Sequence, residues 1–352
     1  MQACVGDDMR PPPSLAGDAA GSDTSSGGPS TGNDAGMPTD GSDSNDPEGD
    51  AGADAGAEAA APPPSCAGLG ATCGAESPPR DCCQSLQIDG GSFHRGYDGV
   101  EPLNSMAYPA EIASFRLDTF EVTVARFRNF LKGYPGNLPK EGAGKNPNDP
   151  SDPGWRAAWN SDPARLPATA AATINVAGRC QGYSTYTDAP GANEYKPINC
   201  INWYVAYAFC IWDGGRLPTN AELNYAAAGG SLQRAYPWSD PSTSTAITAT
   251  HAEWGTWNLR NVGAYPAGVG VFGQLDLSGN VAEFASDRGN VAQYPIPCVN
   301  CARHDDGTAV AAQVPVRGGS AMSVDKIYLR TGFSFAQDAN GADPATGVRC
   351  AR

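Results

Sequence analysis

Residues 197–230 read PINCINWYVAYAFCIWDGGRLPTNAELNYAAAGG, two helical patterns separated by a short glycine- and proline-containing link. From Asn202 to Asp213, Val205, Phe209 and Trp212 recur at spacings of four and three, and Gly214 supplies a stop. Thr219-Asn220-Ala221-Glu222 then forms a capping box, in which the Thr hydroxyl and the Glu carboxylate satisfy each other's free backbone donors, and Gly229-Gly230 ends that helix. Working outward, a further helix is predicted after Glu121-Val122-Thr123, with Phe127, Phe130 and Leu131 on one side. The rest of the chain from Ile88 onward alternates short strand-like runs with frequent Gly and Pro. Few helices in a large, loop-rich domain predict an α+β architecture whose long loops are braced by disulfides.

The chain has 352 residues, a formal charge of -15 and eleven cysteines. Between Val5 and Pro64 lie twelve Asp or Glu and one Arg, a segment charge of -11, so the remainder carries only -4. Neither part offers the basic surface that tracks a phosphate backbone, and no nucleic-acid partner is expected. The early segment consists of Gly, Ala, Ser, Asp and Pro with almost no large apolar residues, and it cannot bury enough surface to offset its ordering entropy. It reads as an acidic tether spanning on the order of 40 Å root-mean-square. The expected organisation is an anchor and linker over residues 1–64, a Cys-rich collar over 65–85 and the main domain over 86–352.

So many cysteines, clustered in pairs, point to an oxidised, exported protein. In the collar, Cys66, Cys73, Cys82 and Cys83 lack paired Cys-x-x-Cys knuckles and histidines, so two disulfides are expected rather than a zinc site. The adjacent Cys82 and Cys83 would bond outward to Cys66 and Cys73, in a connectivity that spacing leaves open. Cys180 and Cys200 flank a polar loop and form a local pair, and Cys298 and Cys301 close a tight Cys-Val-Asn-Cys ring. Cys4 follows Met1-Gln2-Ala3 and precedes the tether, a placement that resembles the acceptor cysteine of a bacterial lipoprotein. The expectation is a cell-envelope or extracellular location, with membrane contact only through a lipid anchor at Cys4. No apolar run elsewhere is long enough to cross a bilayer.

Several landmarks occur in a fixed order: GGSF (90–93), FRLDTFEVTVARFRNF (115–130), the stretch quoted first, YPWS (236–239), DLSGNVAEF (276–284), VRGGSAMSVDKIYLRTGF (316–333) and GVRCAR (347–352). Together they resemble the formylglycine-generating, sulfatase-modifying family over about three quarters of the chain. The resemblance implies that family's variant of the C-type lectin fold and a disulfide joining Cys210 to Cys350. It also implies calcium held by the side chains of Asp276 and Glu283 with the carbonyls of Gly279 and Val281, hard oxygen ligands of the kind calcium selects. A second family calcium site falls near His251 to Trp254, where too little matches to carry ligands over.

Family members oxidise the cysteine of a Cys-x-Pro-x-Arg target with two cysteines that bind copper(I) shortly after the Gly-Gly-Ser turn. Counted from Gly318-Gly319-Ser320, those positions hold Ser323 and Tyr328. A hydroxyl and a phenol cannot replace two thiolates as ligands of a soft ion, so copper is not expected. The related iron-dependent branch needs converging histidines, and this chain has only His94, His251 and His304, none in helical His-x-x-x-His spacing. Ser323 as a nucleophile would need a histidine base; a structural serine is expected. Arg317 and Arg330, flanking the turn, are read as partners of buried carboxylates. The resulting expectation is a non-catalytic module binding a peptide, glycan or protein, with an oxidoreductase acting on a protein cysteine as the alternative.

Overall fold

The computed structural model describes residues 62–70, 72–173, 180, 182–289, 294–304 and 312–352. Cys4, nearly all of the acidic tether, and Asp305 and Asp306 beside His304 lie outside the described residues.

Three antiparallel strand pairs form early in the chain. β1 (Thr72–Cys73) pairs with β2 (Arg80–Asp81), β3 (Ser85–Ile88) with β6 (Phe115–Asp118), and β4 (Gly91–His94) with β5 (Pro109–Ile112). α1 (Val124–Gly133) follows, then a single turn, α2 (Ala170–Thr173), then α3 (Trp203–Trp212) and α4 (Asn220–Ala228). The later chain supplies β7 (Ala282–Phe284), β8 (Gln313–Arg317), β9 (Phe335–Asp338) and β10 (Thr346–Gly347), arranged β10-β7-β8-β9 with only the first pair parallel.

The helices begin and end where their capping residues put them. Thr123 accepts from Arg126 N at the start of α1, and Asn202 from Val205 N at the start of α3. At α4 both halves of the Thr219/Glu222 capping box are made, and Gly229 adopts the left-handed conformation (φ 69°) that closes the helix. α3 is buried on all sides from Trp203 to Cys210, as an apolar central helix should be. Phe127 and Phe130 of α1 pack on Phe209, while Trp155 and Trp159 pack against Tyr207, Trp203 and Tyr204. Phe284, Val314 and Val316 of the four-stranded sheet close the same core.

Five disulfides join ten cysteines: Cys66 to Cys83, Cys73 to Cys82, Cys180 to Cys200, Cys210 to Cys350 and Cys298 to Cys301. The collar is thereby resolved as one bridge nested inside another. It also packs on the main domain, because Cys73 and Cys82 share a small core with Phe120, Val262 and Leu275. Ser65 N donates to Asp213 Oδ1 at 2.9 Å, and Ser65 Oγ accepts from Arg126 Nε at 2.9 Å.

Arg126, fully buried, anchors this junction by reaching Asp118 at 3.0 Å and Asp213 at 2.6 Å. Burial alone would pull its pKa down, but the two carboxylates outweigh that and hold it above the usual value. Arg352 contacts the same two acids, at 3.3 Å and 2.7 Å. Collar, α1, the end of α3 and the C-terminal segment thus meet in one ion network.

Candidate functional site

β8 delivers the chain to Gly318 (φ 90°) and Gly319 (φ 63°), conformations that a side chain would strain. Space forbids one as well: a Cβ on Gly319 would sit 2.8 Å from Tyr328 O and 3.1 Å from Ser323 Oγ, and one on Gly318 2.9 Å from Leu277 O. The turn therefore folds tightly against the residues that follow it. Ser323 Oγ accepts from Ser320 N at 2.9 Å, and Ser323 N returns a bond to Ser320 O at 3.0 Å. Asp325 caps a 3-10 turn over Lys326–Leu329 by accepting from Ile327 N at 3.0 Å.

Both positions where a cysteine pair would sit are thus engaged structurally. The Ser323 hydroxyl fastens a turn. The Tyr328 ring meets Phe333 edge-on at 5.1 Å and packs into a cluster with Tyr236, Trp238, Trp254 and Leu329. Oxygen donors of this kind do not fit copper(I), and all ten described cysteines are already paired.

The three histidines do not converge. His94 meets Gln233, His251 Nδ1 accepts from Thr248 N at 3.1 Å and stacks on Trp238, and His304 Nε2 meets Asp149 Oδ2 at 2.8 Å. Among the described residues no histidine bonds Ser323.

Arg330 pairs with buried Asp98 as expected, through Nε at 2.8 Å and through Nη2. Arg317 departs from expectation. It finds no carboxylate among the described residues, and instead donates to Asn220 Oδ1, to Tyr294 OH at 2.9 Å and to the carbonyls of Thr331 and Phe333. Neutral acceptors suffice because they are numerous and well placed around a guanidinium with five donors.

The DLSGNVAEF segment lies in the interior. Glu283 is paired with Arg349 at 2.7 Å, and Asp276 Oδ2 accepts from Gly263 N at 2.5 Å. A third carboxylate, Glu121, accepts from Asn280 Nδ2 at 2.6 Å and Val281 N at 3.0 Å. Three buried acids against one guanidinium leave an excess of negative charge. Burial, with Asp276 and Glu283 nearby, accordingly pushes the Glu121 carboxyl well up, and burial raises Asp276 to about 6. Among the described residues no group of three or more His, Cys, Asp or Glu side chains is set to hold a metal. The expected calcium set uses only two carboxylates, however, and outside the strand ladders no described backbone N–H reaches the carbonyls of Gly279 or Val281. The raised carboxyls relieve that excess by taking up protons, and a hard cation on oxygen donors is the other way to offset it.

Ser323 and Tyr328 line neither of two cavities found elsewhere. One, of about 950 Å³, opens between the collar and Pro266. The other, of about 10 Å³, is enclosed beside Glu283 and Arg317. The surface next to Ser323 carries exposed side chains. On it stand Trp257, 53% exposed, Tyr183, 48% exposed, and Val324, 76% exposed.

Residues 74–352 match the sulfatase-modifying factor enzyme 1-like domain, and the chain belongs to that family. The chain is similar to the formylglycine-generating enzyme of Streptomyces coelicolor, with 31% identity over 79% of this chain and 92% of that protein. It is similar also to the inactive C-alpha-formylglycine-generating enzyme 2 of Bos taurus, with 24% identity over 76% of this chain and 87% of that protein. Among solved structures, PvdO from Pseudomonas aeruginosa shares the fold, with a TM-score of 0.52 and 20% identity over 76% of this chain and 93% of that one. Active and inactive forms thus occur on the same framework.

Proposed function

We propose that this domain is a non-catalytic member of its family, a binding module carried outside the cytoplasm on the acidic tether. The observation that carries this reading is the occupancy of the two reactive positions by Ser323 and Tyr328, one hydrogen-bonded into a turn and the other packed into an aromatic cluster. Lacking a thiolate pair, the site has no ligands for copper(I) and no means of delivering oxygen to a substrate thiol. What it retains is a rigid surface around the Gly-Gly-Ser turn, suited to recognising a peptide, glycan or protein. Export and lipidation at Cys4 belong to the same proposal and draw support from the five disulfides, which persist in oxidising compartments. Calcium belongs to it too, with Asp276, Glu283 and the carbonyls of Gly279 and Val281 as ligands and a structural role.

The competing reading is formylglycine formation, favoured by the relatedness to an enzyme named for it. The test is to incubate the oxidised protein with copper, oxygen and a peptide carrying Cys-x-Pro-x-Arg, and to follow the peptide mass. An unchanged cysteine is the expected result. Conversion of that cysteine to an aldehyde overturns the proposal.

A further inference from the structure

Trp257 sits in the left-handed region at φ 59°, a conformation rarely adopted by a bulky side chain, and its ring projects into solvent rather than into a core. The surrounding loop holds it there. Thr256 N and Trp257 N both donate to Ala321 O, at 2.9 Å and 3.1 Å, fastening the loop to the segment that follows the Gly-Gly-Ser turn. Glu253, almost fully buried, accepts from Thr256 Oγ1, from Tyr265 OH and from Arg260 Nε at 3.0 Å, and so braces the loop on both sides of Trp257. Burial would raise the Glu253 carboxyl, but these donors hold it below its usual value.

Tyr183 reaches Trp257 from a distant part of the chain. Its ring centroid lies 5.8 Å from that of Trp257, with the planes inclined at 53°. Its backbone is fixed by Tyr183 N donating to Cys180 O at 3.0 Å and by Asn199 Nδ2 donating to Tyr183 O at 2.9 Å, beside the Cys180–Cys200 bridge. Two half-exposed rings are thus held against each other before any ligand arrives, which lowers the ordering cost of binding.

The chemistry around the two rings narrows their ligand. Glu253 is buried with its oxygens taken by Thr256, Tyr265 and Arg260, and its charge balances that of Arg260, so the pair presents no net charge to a ligand. Asn258 is exposed beside the rings and offers an amide group, and Ser323 Oγ, which accepts from Ser320 N, keeps its own proton to donate. Two rings fall far short of the roughly 800 Å² per partner of a stable protein interface. Flat apolar faces, flanked by uncharged hydrogen-bonding groups, match a ligand that has apolar C–H faces and many hydroxyls.

We propose that the Tyr183–Trp257 pair is a binding site for the pyranose rings of a neutral oligosaccharide. This rests on the binding-module reading and gives that module its ligand class. Trp257 and Tyr183 are the contacting residues, and Glu253 is a positioning residue acting through the loop.

The test is calorimetric titration of the full chain with cellohexaose, chitohexaose and mannohexaose, alongside a decaproline peptide and an anionic oligogalacturonate. At least one neutral hexaose should bind in the millimolar range or tighter. Trp257→Ala should weaken it at least about tenfold with an unchanged urea midpoint, and Trp257→Phe should restore part of the loss. No binding by any neutral hexaose overturns the proposal, as does equal binding by Trp257→Ala. Decaproline binding that Trp257→Ala abolishes, without sugar binding, overturns the ligand class but leaves the binding-module reading standing. Binding of the anionic sugar alone overturns the argument from charge.

Discussion

Replacing Cys210 and Cys350 together by alanine removes the bridge that closes the longest covalent loop in the domain. The two residues are 140 apart in sequence, whereas Cys298 and Cys301 are 3 apart. If a bridge acts mainly by restricting the unfolded chain, the long loop is worth about 5 kcal/mol and the short one about 1.6 kcal/mol, a difference of about 3.4 kcal/mol. Both long-loop cysteines are fully buried, so the alanine pair also leaves a small void, which adds to the loss rather than masking it. Urea titration of the oxidised protein, with the Cys298→Ala/Cys301→Ala double variant as internal comparison, reads the two losses under one condition. The long-loop variant should be the less stable of the two by at least about 2 kcal/mol. Equal losses would refute the chain-entropy reasoning and show that the bridges act through local native packing.

Among the described residues, Arg126→Met leaves Asp118 and Asp213 with only the partly exposed Arg352 as an ion-pair partner and should cost about 3 to 5 kcal/mol in urea titration; a loss under about 1 kcal/mol would mean Arg352 suffices. Adding a chelator should lower the melting temperature, because an ion bound only by the folded state at 100 times its Kd contributes about 2.7 kcal/mol; an unchanged melting temperature removes calcium from the proposal. The double variant Ser323→Cys/Tyr328→Cys should bind copper(I) while the parent does not, read by metal content after desalting, and parent binding would contradict the donor argument. Burial would raise the Asp149 carboxyl, but Ser151 and His304 hold it below its ordinary 3.8. Its stabilising contribution is complete above pH 3.8 and lost as pH falls through the lower folded value, so Asp149→Asn should show a shallower acid-side loss of stability.

Local signals carried most of the framework. Thr123, Asn202 and the Thr219/Glu222 box announce helix starts through backbone hydrogen bonding that needs no tertiary context, and each helix begins where they say. The collar connectivity was not legible, because Cys82 and Cys83 are adjacent and either could serve either partner. Arg317 was misread for a different reason. Its acceptors come from α4, the Tyr294 segment and carbonyls beyond the turn, and no pattern in sequence marks a guanidinium that will be satisfied by neutral groups. Glu121 shows on the page as the approach to a helix. Only the fold reveals it as the third acid beside Asp276 and Glu283. The aromatic pair was invisible too, since Tyr183 and Trp257 belong to separate loops and Thr-Trp-Asn gives no warning of a left-handed tryptophan.

The shared ion network and the Cys210–Cys350 bridge also set an order in time. α1 is made early, yet Arg352, which shares its Asp118 and Asp213 partners, and Cys350, which bonds α3, emerge from the ribosome far later. A nascent chain therefore holds its central helices without their last partners throughout synthesis of the intervening 140 residues. The same dependence means that losing residues 349–352 would strike the centre of the domain rather than trim its edge.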